Sequence, residues 1–135
     1  MNSILAISFA LALLFPMLSF AKVDAQNNNL DPITVSAAHQ ITKASPGQIY
    51  WDDTPDIFFG IPILKVVVGP EGFIQEIIVL RKPQNPEALD TVQLAILAIR
   101  KAEPFKYLVV NDEPVEFVQT FLFRNDRKFK LRVLD

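Results

Sequence analysis

The chain has 135 residues, no cysteine, and 13 Lys plus Arg against 15 Asp plus Glu, a formal net charge of -2. Disulfides are therefore excluded, and that charge balance implies neither a nucleic-acid partner nor attraction to an anionic membrane surface. Beyond an apolar leader roughly 110 residues are left, which suits one domain with an adequate core rather than two.

Residues 1–25 begin with MNSILAISFALALLFPMLSFA, without a charged side chain before Lys22. Ser19 and Ala21 occupy the minus three and minus one places of a signal-peptidase site, and Val23 with Ala25 offers a second. A cleaved signal peptide is the expected reading. The rival is an uncleaved anchor, since Ile4 to Ala21 is about long enough to cross a bilayer core; Pro16 and the small-residue ending argue against it. The expected location is periplasmic or secreted, with anchoring in the inner membrane as the alternative and membrane contact only if the leader is retained. A lipid-modified terminus is excluded because it needs a cysteine.

Residues 26–56 are expected to be a polar linker and a segment of open assignment. Gln26 to Asn29, with Asp31-Pro32, is polar and unpatterned. Ile33 to Lys43 mixes Ile33, Val35, Ala37, Ala38 and Ile41 with polar residues and fits either a strand or a helical turn. Ser45-Pro46-Gly47 opens a turn-rich stretch that runs through Asp52-Asp53-Thr54-Pro55-Asp56.

Residues 57–135 carry the expected domain. Leu64, Val66 and Val68 fall on one face of a strand, with Ile63, Lys65 and Val67 on the other. Gly69-Pro70-Glu71-Gly72 turns the chain, and a second strand is expected from Phe73 to Leu80. Both of its faces are partly apolar, so the second face must be covered or lie at an interface. Asn85-Pro86-Glu87 is a helix start, with Asn as cap, Pro at the first position and Glu at the positive end of the dipole. Leu89, Val92, Ile96 and Ile99 then recur at helical spacing with Ala88 and Ala95 in the same stripe, and Pro104 ends the run. An extended pattern is expected from Phe105 to Val110 and a turn at Asn111-Asp112-Glu113-Pro114. Val115, Phe117, Phe121 and Phe123 then share a strand face with Gln119, opposite Glu116, Val118, Thr120 and Leu122. These phenylalanines are read as an aromatic ridge of the core. The last residues concentrate Arg124, Arg127, Lys128, Lys130 and Arg132, read as a solvated basic tail. The expected fold is α+β, a small antiparallel sheet with one packed helix in the order β-β-α-β.

The wording of this stretch resembles the carboxy-terminal domain of the TonB energy-transducer family. Gly60 precedes the alternating valines, Gly69-Pro70-Glu71-Gly72 closes a hairpin, Leu89-Asp90 stands early in the helix, Pro104-Phe105 leads out of it, and Asn111 to Val115 introduces the last strand. The likeness runs over about Gly60 to Phe123. It departs at Glu103, where the family has an aromatic, at Asp112, where it has Gly, and in lacking the family's long proline-rich spacer. The resemblance implies a periplasmic protein-binding module that captures a segment of an envelope partner, such as an outer-membrane protein, by strand pairing. Val115, Phe117, Gln119, Thr120, Phe121 and Phe123 are then the expected partner-binding residues. Without the spacer, an accessory or structural subunit of an envelope complex that transduces no energy is the alternative.

No catalytic site, cofactor or metal is expected, and no enzyme activity. Asp52, Asp53 and Asp56 could share a hard cation, but an acidic turn accounts for them. His39, the single histidine, has no second ligand or triad partner in view. Glu71 and Glu76 flank a hairpin as surface charges. Gly60, Gly69 and Gly72 lack the lysine and the helix of a phosphate loop.

Overall fold

The computed structural model describes residues 31–135, and the expected leader and the first residues of the linker lie outside them. The first element, α1 (Pro32–Lys43), starts at a built cap. The Asp31 carboxylate accepts from the Ile33 amide at 3.2 Å and from the Thr34 hydroxyl at 2.8 Å, and Pro32 occupies a position whose amide would have no helical partner. Thr34, Ala37, Ala38 and Ile41 recur every three or four residues and are buried, which resolves the open assignment in favour of a helix. Although α1 lies ahead of residue 57, it packs into the same core as the strands.

β1 (Ile63–Val68) and β2 (Ile74–Arg81) pair antiparallel. Leu64, Val66 and Val68 are fully buried while Ile63, Lys65 and Val67 are half-buried, as the alternation requires. The turn between them needs its second glycine. Gly72 has φ +94, and a Cβ there would sit 3.0 Å from the Lys106 backbone nitrogen. Phe73 is exposed and precedes the strand, which starts one residue later than expected.

The Asn85 side chain accepts from the Glu87 amide at 3.0 Å, and a 3-10 turn (Pro86–Ala88) leads into α2 (Asp90–Lys101). Its buried stripe is small: Thr91, Val92, Ala95, Ala98 and Ile99 face the core, whereas Leu89 points to solvent and Ile96 is half-buried. Alanines at the contact let the helix sit close to the sheet. The Gln40 side chain donates to the Ala102 and Pro104 carbonyls at 2.6 and 2.9 Å, so α1 satisfies acceptors just past the end of α2.

Between α2 and the next strand the expected extended pattern gives way to a 3-10 turn (Lys106–Leu108). Its anchor is Phe105, fully buried and donating its amide to the Gly72 carbonyl at 2.7 Å. Asn111 and Asp112 both have positive φ, 61 and 55, which makes the following turn the mirror-image type that asparagine and aspartate tolerate.

β3 (Val115–Phe123) is followed by a strand that the sequence reading does not include, β4 (Phe129–Leu131), reached through a five-residue connection with Arg127 at φ 69. The basic tail is therefore structural rather than merely solvated. The sheet order is β2-β1-β3-β4, all antiparallel. α1 lies against β3 and β4, while α2 reaches β2 and α1. Both helices share one core with the inward face of the sheet. The architecture is α+β, with four strands and two helices among the described residues. Phe121, Phe123 and Phe129 pack ring to ring at centroid distances of 5.0 to 5.9 Å, the aromatic ridge expected of this strand.

Candidate functional site

The order of strands decides which backbone groups a partner could reach. β3 is an inner strand. Along one side it pairs with β1 from Ile63↔Thr120 to Val68↔Val115 without a register shift. On its other side β4 covers only Phe121, Leu122 and Phe123. Backbone groups alternate sides along an antiparallel strand. The Phe121 and Phe123 amides donate towards the β1 side, to Pro62 and Gly60 at 3.0 and 2.9 Å. On the β4 side, the Leu122 carbonyl accepts from Tyr50 Oη at 3.2 Å and the Arg124 amide donates to Lys128 at 2.9 Å. By the same alternation the amides and carbonyls of Glu116, Val118 and Thr120 turn away from β1, and no strand among the described residues pairs with them. Val115 to Thr120, about 17 Å at roughly 3.4 Å per residue, thus has no strand paired on that side among the described residues, while the 3-10 turn Arg132–Leu134 that follows β4 lies against β3.

The structure places the expected partner-binding residues in different settings along β3. Phe121 and Phe123 are removed from an open edge, because β4 occupies it and both rings are fully buried. The side chains of Phe117 and Gln119 are likewise buried in the helix-covered face. Gln119 is a tie within the fold: its side-chain nitrogen donates to the Thr34 carbonyl of α1 at 2.8 Å. Val115 and Thr120 keep partial exposure, and the residues that sequence reading left out are Glu116 and Val118. Their outward backbone follows from which strand neighbours β3, a fact with no local signal. Glu116 is held by Lys65 of β1 at 3.0 Å, which stiffens the start of the open stretch.

The outermost strand at the opposite side, β2, also has a free edge, but its pairing with β1 is broken by register shifts at Ile63/Leu64 and Val67/Val68. Such irregularities twist an edge and hinder a further strand from pairing. The register of β3 with β1, by contrast, is unbroken.

The acidic turn does not gather into a site. Asp52 is bound to Arg124 at 3.0 Å, Asp53 and Asp56 are exposed, and no group of three His, Cys, Asp or Glu among the described residues converges as metal ligands would. His39 is on the exposed side of α1. Glu71 lies in the hairpin turn and Glu76 on the solvent side of β2, both exposed. No helix of the described residues is long and apolar enough to cross a membrane.

The β3–β4 loop carries an ion cluster with shifted ionisation. Arg124 bridges Asp126 at 2.6 Å and Asp52 at 3.0 Å. The hydrogen bond from Arg124, aided by the Lys128 amide, holds the Asp126 carboxyl below its ordinary value, against the opposing effect of desolvation. No family model matches this chain, nor does any curated protein or any solved structure.

Proposed function

We propose that the chain is an exported periplasmic protein-binding module, resembling the carboxy-terminal domain of TonB transducers, that docks an envelope partner by strand addition. The observation that carries this reading is the side of β3 from Val115 to Thr120 turned away from β1, along which no strand among the described residues pairs. In strand addition the backbone ladder supplies affinity and alternate side chains supply register. Val118 and Thr120, half-buried, would flank every second side chain of the guest.

The test uses proline at Thr120, whose amide is directed outward. Thr120→Pro removes a donor from the open edge without removing one from the β1 ladder. In crosslinking within the intact envelope, this variant is expected to lose the captured partner while its far-ultraviolet circular dichroism matches the parent. Retained capture would overturn strand addition.

A second reading rests on the other face of the sheet. Ile63, Val67, Ile78 and Val118 lie half-buried on the side away from both helices, and a two-faced apolar sheet fits a subunit packed on another chain. Size-exclusion chromatography of the purified chain discriminates: a strict monomer counts against a stable self-assembly through this face.

A further inference from the structure

We infer that a groove at one end of the sheet, separate from the open β3 edge, receives an acidic segment of a protein chain. It lies where the chain enters β1 and where β2 and β3 finish. Two concavities of about 450 and 400 Å³ meet there and share Phe58, Phe59 and Asn85 as a common wall. One continues to Arg124 and Asn125, the other to Arg81, Lys82 and Gln84. Both are open depressions of the surface rather than enclosed cavities.

The charge of the walls is one-sided. Three lining residues are cations and none is Asp or Glu, in a chain whose acidic residues outnumber its basic ones by 15 to 13. Arg124 is already engaged by Asp52 and Asp126. Arg81 and Lys82 are exposed and have no ion-pair partner among the described residues. Between the two ends stands an aromatic wall set in place from behind: the Arg127 guanidinium lies 4.3 Å from the Phe59 ring centroid and is itself bonded to Asp90 at 2.9 Å. Ile57, 86% exposed, lines the outer part of the first concavity.

Free cations next to a fixed aromatic surface suit a guest that carries carboxylates beside an aromatic or aliphatic side chain, with charge setting the approach and apolar contact the residence. A membrane surface is a poorer match, because recognition of anionic lipid headgroups calls for a cluster of about 4 to 8 Lys or Arg, whereas two unpaired cations stand here at a concavity. A lone small anion would meet only one end. Two joined concavities fit an extended chain.

The probe is a capped, fluorescein-labelled peptide of sequence Asp-Glu-Phe-Asp-Glu, followed by fluorescence anisotropy with the purified chain. The comparison peptide is Asn-Gln-Phe-Asn-Gln, and vesicles of phosphatidylglycerol in phosphatidylcholine form a separate arm. The acidic peptide is expected to bind at least about tenfold more tightly than the amide peptide and to weaken as salt is raised. The double variant Arg81→Glu, Lys82→Glu, both at exposed positions, should lower that affinity about tenfold or more, and Arg81→Lys should restore most of it beside wild-type Lys82. Thr120→Pro should bind the peptide as the parent does, so failure of strand addition and failure of the groove are told apart. Equal affinity for the two peptides, unchanged binding by the double variant, or vesicle binding in place of peptide binding would each overturn the proposal.

Discussion

Tyr50 joins three distant parts of the chain through one side chain. Its ring is 2% exposed, its hydroxyl donates to the Leu122 carbonyl at 3.2 Å, and Arg124 and Lys130 lie over the ring at 4.4 and 4.9 Å. Burial, joined by the nearby Asp135 carboxylate, pushes the phenol above its ordinary value, with Arg124 working the other way. Tyr50→Phe removes one hydrogen bond to a carbonyl that also faces Lys130 in the β3–β4 pairing, so a loss of about 0.5 to 1.5 kcal/mol is expected in urea denaturation. Asp126 gives a residue-scale test in pH. Its folded value is depressed, first by the Arg124 hydrogen bond, so its contribution is present above the unfolded value and is lost as pH falls through the folded one. Carboxyl chemical shifts followed through acid titration should place Asp126 below an ordinary aspartate, and Arg124→Ala should bring it back up. Neither role was legible beforehand. The Tyr50 acceptor is 72 positions away, and Arg124 read as one cation in a basic run.

At the scale of elements, β4 shows how a signal can be present and misread. Lys128, Lys130 and Arg132 alternate with Phe129, Leu131 and Val133, the period of a half-buried strand, within a run whose concentrated charge equally fits a solvated tail. Asn125-Asp126 ahead of it is turn chemistry, and Arg127 takes the left-handed position usually given to glycine. Phe129→Ala removes a ring packed on Phe121 and Phe123, and about 3 to 5 kcal/mol should disappear from the unfolding free energy. A solvated tail would show almost none. The β1–β2 turn was legible because glycine chemistry is local, whereas the approach of Gly72 to Lys106 was not. Gly72→Ala forces a Cβ into positive φ at 3.0 Å from that backbone nitrogen; a thermal midpoint unchanged from the parent would contradict the expected loss of more than about 1 kcal/mol. α1 was ambiguous for the opposite reason: its stripe of Thr34, Ala37, Ala38 and Ile41 is too small to mark a helix until something packs against it.

For the molecule as a whole, the helical layer is one unit with the sheet. α1 supplies Ala37, Ala38 and Ile41 to the core, donates acceptor and donor groups to Gln119 and to the end of α2, and lies wholly before residue 57. Residues 57–135 alone should therefore lack cooperative unfolding, whereas residues 31–135 should show a single transition in urea monitored by circular dichroism. The α+β class, the central hairpin, the cap of α2 and the aromatic strand could be read from the sequence, because period, turn chemistry and capping act over a few residues. Which strand neighbours which could not. The placement of β4 on only a third of β3 leaves Glu116, Val118 and Thr120 without a paired strand on that side and pairs Phe121 and Phe123, while the β1–β2 pairing and the contact of Phe59 and Gly60 with Phe123 bring Arg81, Lys82, Phe58 and Phe59 to one end of the sheet. Those are consequences of long-range pairing, which is fixed by how all the apolar faces are buried together and leaves no mark on any one segment.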